Sequence, residues 1–164
     1  MHIYLIGVAG TGMSALAALL VEAGHRVSGS DTAFDPPVGP YLEELGIECH
    51  EGWRGMNLDA NPDLVVVGNV CRRDNPEAQE AMSRGLPTLS MPGALAAKVL
   101  SRRRSMVVAG THGKTTTSAL LAYLLRQAGV DAGFFIGGIP LNFDRSSRLV
   151  SECLPFVVEG DEYD

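Results

Sequence analysis

Apolar residues fall into short runs, at positions 3–6, 64–67, 86–89, 106–109, 134–136 and 156–158, each of a length suited to a strand buried on both faces. After the first run Met13, Leu16, Leu20 and Ala23 recur at helical spacing, and Gly24 stands where a helix stops. Residues 26–30 read as a second strand that closes at Asp31, followed by the turn residues Asp35, Pro36 and Pro37 and a helical segment over 41–45. Strands alternating with helices predict an α/β fold, a Rossmann-like parallel sheet with helices on both faces, because right-handed crossovers put them there. A helix-like stretch over 94–100 gives way to Arg102, Arg103 and Arg104 and then to a new strand. That change places a first domain over 1–102 and the beginning of a second α/β domain over 103–164. About sixty residues are too few to close another large sheet, so the chain is expected to be a fragment of something longer.

Composition narrows the functional classes. At 46% hydrophobic and 20% charged residues the chain has ample apolar surface to bury. A formal charge of −6 argues against binding nucleic acid, which relies on clustered cations, and the three consecutive arginines read as a solvated linker. Cys49, Cys71 and Cys153 are odd in number and far apart, which excludes a metal knuckle or a disulfide framework and fits a reduced, cytoplasmic setting. Residues 3–21 carry no formal charge for 19 positions, yet Gly7, Gly10, Gly12, Thr11 and Ser14 divide them into strand, loop and helix. A membrane span and a signal peptide are therefore not expected.

Two loops carry candidate chemistry. The first, Gly7-Val8-Ala9-Gly10-Thr11-Gly12, leaves a strand and opens a helix, where glycine permits a tight turn and lets a pyrophosphate approach backbone N–H groups at the positive end of the helix. Its spacing is G-x-x-G-x-G, which departs from the dinucleotide fingerprint and disfavours a nicotinamide cofactor. Asp31, at the end of the second strand, and Asn69, at the carboxyl end of a later one, stand where open α/β sheets bind ligands. The second loop, Gly110-Thr111-His112-Gly113-Lys114-Thr115-Thr116, is a shortened P-loop, with Val108 where the general form has glycine. Lys114 would reach the phosphates of ATP and Thr115 a magnesium ion. Only two of the thirteen cations are lysine, Lys98 and Lys114, so lysine at this position is selective, and an ammonium serves phosphate as a point charge. Glu159, Asp161, Glu162 and Asp164 close a buried strand with carboxylates, one of which could help hold Mg²⁺. His112 could touch phosphate or substrate, with a packing role equally open; Asn75 and Pro76 read as loop formers.

Two tandem phosphate loops, the second spelled Gly-Thr-His-Gly-Lys-Thr-Thr-Thr, resemble the Mur ligase family of peptidoglycan biosynthesis along the whole chain. The resemblance implies that the first domain binds the UDP part of UDP-N-acetylmuramate, through Gly7, Gly10, Thr11, Gly12, Asp31 and Asn69. It implies that the second begins an ATPase in which Gly110 to Thr116 hold ATP, Lys114 contacts the β- and γ-phosphates, and Thr115 and Glu159 hold Mg²⁺. The histidine in the second loop and Asn75-Pro76-Glu77 resemble the branch that extends UDP-N-acetylmuramate itself. Ile136-Gly137-Gly138-Ile139-Pro140, Asn142-Phe143 and Tyr163 are similar to members that add a murein peptide, with L-alanine as the alternative acceptor; Gly160 replaces the family's usual alanine. The reaction so implied forms an amide through an acyl phosphate. A binding module without catalysis, a nucleotide or NAD sensor, is the reading from another class.

Overall fold

The computed structural model describes residues 1–58, 61–69, 71 and 74–160. The chain divides into two units, Met1–Lys98 and Val99–Asp164. In the first, strand β1 (His2–Ile6) is followed by helix α1 (Thr11–Glu22), β2 (Arg26–Asp31), α2 (Val38–Glu44), β3 (Glu48–Glu51), a 3-10 turn at Gly55–Leu58, β4 (Leu64–Val67), α3 (Pro76–Ser83), β5 (Thr88–Ser90) and α4 (Met91–Leu95). The five strands are all parallel in the order β3-β2-β1-β4-β5. This is the expected Rossmann-like arrangement, and the strand order reverses between β1 and β4.

Central β1 is buried from Ile3 to Ile6, as a strand covered on both faces must be. Alternation divides its side chains. Tyr4 and Ile6 join Leu58, Val65 and Ala81 in a core beneath α3 and the 3-10 turn, with Trp53 against it. Ile3 and Leu5 point the other way, the side on which α1 packs with α2 and α4. β2 approaches β1 closely only because position 29 is glycine. A Cβ there would lie 2.5 Å from the Leu5 carbonyl oxygen and 2.8 Å from Val8 Cβ.

In the second unit β6 (Arg104–Val108) is followed by α5 (Lys114–Gln127), β7 (Gly133–Phe135), β8 (Ser147–Arg148) and β9 (Pro155–Glu159), and the strands form a sheet in the order β6-β9-β7-β8. Ala122, Phe134, Ile136 and Val157 make its core.

The structure corrects the sequence reading at several elements. β3, made of Glu48, Cys49, His50 and Glu51, lacks the apolar run of a buried strand because it is a sheet edge. The run at 86–89 contributes its strand later, at Thr88–Ser90. α3 begins where Asn75 and Pro76 read as loop: Pro76 is the first helical residue and Asn75 Oδ1 accepts the Glu77 and Ala78 N–H groups. β8 pairs antiparallel to β7, so the second sheet is mixed.

The thiols are free, with Cys153 exposed and Cys49 and Cys71 half-buried. Burial pushes the Cys49 thiol up. Burial also raises Cys71, and the nearby charges of Asp31 and Glu77 add to it against a backbone hydrogen bond from Gly68. Reactivity follows exposure and thiolate fraction. Peptide mapping after brief maleimide treatment at neutral pH is expected to find Cys153 labelled about tenfold faster than the other two. Equal labelling would contradict the packing described for β3 and for the segment after β4.

Candidate functional site

β1 ends at Ile6, and Gly7 turns the chain with φ of +87°, a backbone that L side chains rarely adopt. The loop is then tied by its own amides. Gly7 and Val8 N–H donate to the Ser30 carbonyl at 2.8 and 3.0 Å, and Gly10 N–H donates to the Gly7 carbonyl at 3.2 Å. Ala9 N–H donates to Asp31 Oδ2 at 2.9 Å. The amides of residues 7 to 10 therefore fold the loop instead of facing a ligand. The donors left for an anion are those of Thr11, Gly12 and Met13, the first turn of α1, which a helix leaves without an internal acceptor. α1 has no side-chain cap and no acidic residue in that turn, whereas α3 and α4 are capped by Asn75 and Ser90.

Asp31 does not stand free. Its second oxygen accepts Thr32 N–H at 2.7 Å, so the carboxylate joins the end of β2 to the glycine loop. Asn69 is exposed in the turn after β4. Gly7, Gly10, Thr11, Gly12 and Asn69 thus stand at the carboxyl ends of β1 and β4, flanking the reversal in strand order where doubly wound sheets take ligands. A Cβ at Gly10 would come no closer than 3.4 Å to the Gly7 oxygen, and one at Gly12 would meet the flexible tip of Met91 at 3.3 Å. Internal packing does not demand glycine at either position.

Beside this loop lies a group that the sequence reading used only as a family mark. Glu77 is fully buried. Its Oε1 accepts from Tyr4 Oη at 3.2 Å, the Arg54 N–H at 3.2 Å and Asn57 Nδ2 at 2.6 Å, and its Oε2 accepts from Ser30 Oγ. The carboxylate also sits in the first turn of α3, where the helix dipole favours negative charge. Burial first, and the Glu77 charge further, push the Tyr4 hydroxyl well above its ordinary range, against opposing hydrogen bonds from Ser30 and Asn57. Asn75 Nδ2 is buried at the start of α3 without a hydrogen-bond partner among the described residues. The signal for Glu77 lay in β2, whose Ser28 and Ser30 are buried hydroxyls that require partners.

In the second unit the chain leaves β6 at Val108 and re-enters a helix at Lys114 through Gly113, whose φ is +73°. α5 likewise starts without a side-chain cap or an acidic residue in its first turn. β6 pairs with β9 so that Val108 stands opposite Glu159, and this register brings the carboxylate level with the loop. Thr115 Oγ1 donates to Glu159 Oε1 at 2.7 Å, and Gly137 N–H donates to Glu159 Oε2 at 2.7 Å. The expected pair is therefore in contact. Thr115 and Glu159 supply two oxygens, and Mg²⁺ ordinarily takes its remaining ligands from phosphate and water, so the donor set fits. No cluster of three or more His, Cys, Asp or Glu occurs among the described residues. Thr111, His112 and Thr116 are exposed. Asp161, Glu162, Tyr163 and Asp164 lie outside the described residues.

A parallel, doubly wound α/β unit with an uncapped helix behind a glycine loop, followed by a second glycine loop and helix facing a strand-end glutamate, defines a protein of the Rossmann-like class. The family model described as Mur ligase family, catalytic domain, matches residues 2–103, and the chain belongs to the Mur ligase family. Over 164 residues it is 43% identical to the Escherichia coli UDP-N-acetylmuramate–L-alanyl-γ-D-glutamyl-meso-2,6-diaminoheptanedioate ligase, covering 100% of this chain and 36% of that protein. It is 42% identical over 164 residues to the UDP-N-acetylmuramate–L-alanine ligase of Roseiflexus, covering 100% of this chain and 34% of that protein. The crystal structure of the corresponding tripeptide ligase from Neisseria meningitidis superposes with a TM-score of 0.95 at 44% identity, covering 99% of this chain and 53% of that one. The chain spans about a third of the length of these curated relatives. Among the described residues no helix is long and apolar enough to cross a membrane.

Proposed function

We propose that this chain is the nucleotide-binding part of a cytoplasmic ATP-dependent ligase that joins a murein peptide to the carboxylate of UDP-N-acetylmuramate. Residues 1–102 would hold the uridine sugar and residues 103–164 would begin the ATP-binding domain. The observation that carries the reading is the contact of Thr115 with Glu159 one residue beyond Lys114. It supplies an ammonium for phosphate and an oxygen pair for magnesium at one helix start.

In this reading Thr11, Gly12 and Met13 direct N–H groups at the pyrophosphate, and the side-chain-free surface at Gly10 and Gly12 lets it approach. Asp31 fixes the loop, and Asn69 lines the site from β4. Gly110 to Thr116 would surround the ATP phosphates, with Lys114 on the β- and γ-phosphates, and Thr115 and Glu159 would hold a magnesium ion, which would supply charge neutralisation at the phosphates. The muramyl carboxylate displaces ADP from the γ-phosphorus. The peptide amine then attacks the acyl carbon, loses a proton and releases inorganic phosphate. The chain's contribution is positioning and charge stabilisation, which dominate phosphoryl transfer.

The identity to an L-alanine ligase favours a second reading, with alanine as acceptor. Phosphate release by the intact protein with ATP, Mg²⁺ and UDP-N-acetylmuramate separates them. L-Alanyl-γ-D-glutamyl-meso-diaminopimelate is expected to support turnover of about 1 to 1000 per second, and free L-alanine to support little. Turnover with alanine alone would establish the second reading; release with neither, alongside tight NAD binding, would replace both with a sensor. The 164-residue chain alone is expected to ligate nothing.

A further inference from the structure

We infer that Glu77 is a positioning residue for the first nucleotide site, setting the height of the glycine loop through Ser30; the inference rests on the reading of that site as the uridine-sugar site. The linkage is continuous. Glu77 Oε2 accepts the Ser30 hydroxyl, and the carbonyl of that same residue accepts the N–H groups of both Gly7 and Val8. Ser30 is thereby held by its side chain on one side and holds the loop by its backbone on the other. Ile6 and Ser30 are register partners in β1 and β2, so the point of attachment lies at the carboxyl end of the sheet, where the loop departs.

The other partners of Glu77 show why a carboxylate suits this place. Tyr4 comes from the middle of β1, Ser30 from β2, and Arg54 and Asn57 from the segment between β3 and β4, while Glu77 itself opens α3. One fully buried acceptor therefore gathers four donors from three segments of the unit. An acceptor-only group satisfies all four without turning a donor toward any of them. A glutamine of the same shape keeps one oxygen for Tyr4, Arg54 and Asn57 and turns its NH₂ to Ser30, whose hydroxyl must rotate to accept, so a charge-assisted contact is exchanged for a neutral one at Ser30 alone. Tyr4 lies mid-strand, whereas Ser30 is the penultimate residue of its strand and is followed by the loop-binding Asp31. The displacement should fall on Ser30 and on the amides it holds. Thr11, Gly12 and Met13 follow the loop directly, so a change in its height moves the donors that face the pyrophosphate.

The test compares the parent chain with Glu77→Gln, Ser30→Ala and the double variant. Amide hydrogen exchange is expected to show loss of protection confined to Gly7, Val8 and Ala9 in each variant, with Tyr4, Leu5 and Val65 unchanged. Titration calorimetry with UDP-N-acetylmuramate is expected to give a dissociation constant about tenfold higher for each single variant, with little further change in the double, because both act through one link. If Glu77→Gln does not fold, Ser30→Ala alone must still show the confined loss of protection and the weaker binding. Protection lost evenly across the unit, additive effects in the double variant, or unchanged affinity in folded single variants would each overturn the positioning role while leaving the uridine-sugar site standing. No binding by the parent chain would overturn the reading of the site, and this inference with it.

Discussion

Lys114→Ala in the intact protein is expected, on the proposed ligase reading, to lower kcat/KM for ATP-dependent phosphate release by about 10³-fold, while UDP-N-acetylmuramate binds as before. Removing one preorganised donor from a developing oxyanion typically costs about 10² to 10³ in rate, and a full positive charge beside a transferring phosphoryl group belongs at the upper end of that range. Lys114 is the first residue of α5, so its ammonium reinforces a helix terminus already favourable to anions and free of acidic neighbours in its first turn. Lys114→Arg should recover little, because a planar guanidinium on a stiffer fork does not replace a compact ammonium on a flexible stem. Steady-state kinetics with both substrates varied would decide the matter. Retention of more than about a tenth of the parent kcat/KM by Lys114→Ala would remove the lysine from the phosphate site.

The parts of this protein that could be read from the chain are those in which one residue type answers one local demand. Buried strands of a parallel sheet must be apolar on both faces, so β1, β4 and β9 announce themselves. The two glycine loops did so as well, since Gly7 occupies left-handed backbone where β1 ends and Gly113 does so where α5 begins. What the loops do with their amides was not legible. Whether a peptide N–H faces a ligand or the Ser30 carbonyl depends on the neighbouring strand, and here four amides were already taken. Asp31 shows the same limit, because a carboxylate after a strand suits a ribose and a loop amide equally well. Glu77 escaped for a different reason. An acid in the first turn of a helix is ordinarily solvated, and only the assembly of β1, β2 and the 3-10 turn around α3 buries it. β3 escaped because an edge strand needs no apolar run.

Gly29→Ala is expected to destabilise the first unit by about 3 kcal/mol or more, at the high end of overpacking costs. The added methyl would stand 2.5 Å from a backbone oxygen of β1 and 2.8 Å from the Val8 Cβ, and neither atom belongs to the movable end of a side chain. Leu5 and Val8 are both fully buried, so relief requires separating β2 from β1 or lifting the glycine loop. For a unit of this size each 1 kcal/mol lowers the melting temperature by about 4–8 °C, which puts the expected fall above about 10 °C. Two other glycines provide the contrast. Gly24 has φ of +81° with nothing within 4 Å of the place a methyl would take, so Gly24→Ala meets backbone strain alone, about 1–2 kcal/mol. Gly10 has an extended backbone and room for a Cβ, so Gly10→Ala should melt like the parent yet bind UDP-N-acetylmuramate poorly, since its methyl would stand beside the first turn of α1. Calorimetric melting and ligand titration of the three variants order them: Gly29→Ala loses the most stability, Gly24→Ala less, and Gly10→Ala none, while Gly10→Ala loses affinity without loss of stability. A Gly29→Ala chain as stable as Gly24→Ala would mean that the close approach of β2 to β1 and Val8 is not the constraint that shapes this loop, and a Gly10→Ala chain with full affinity would place the uridine sugar elsewhere.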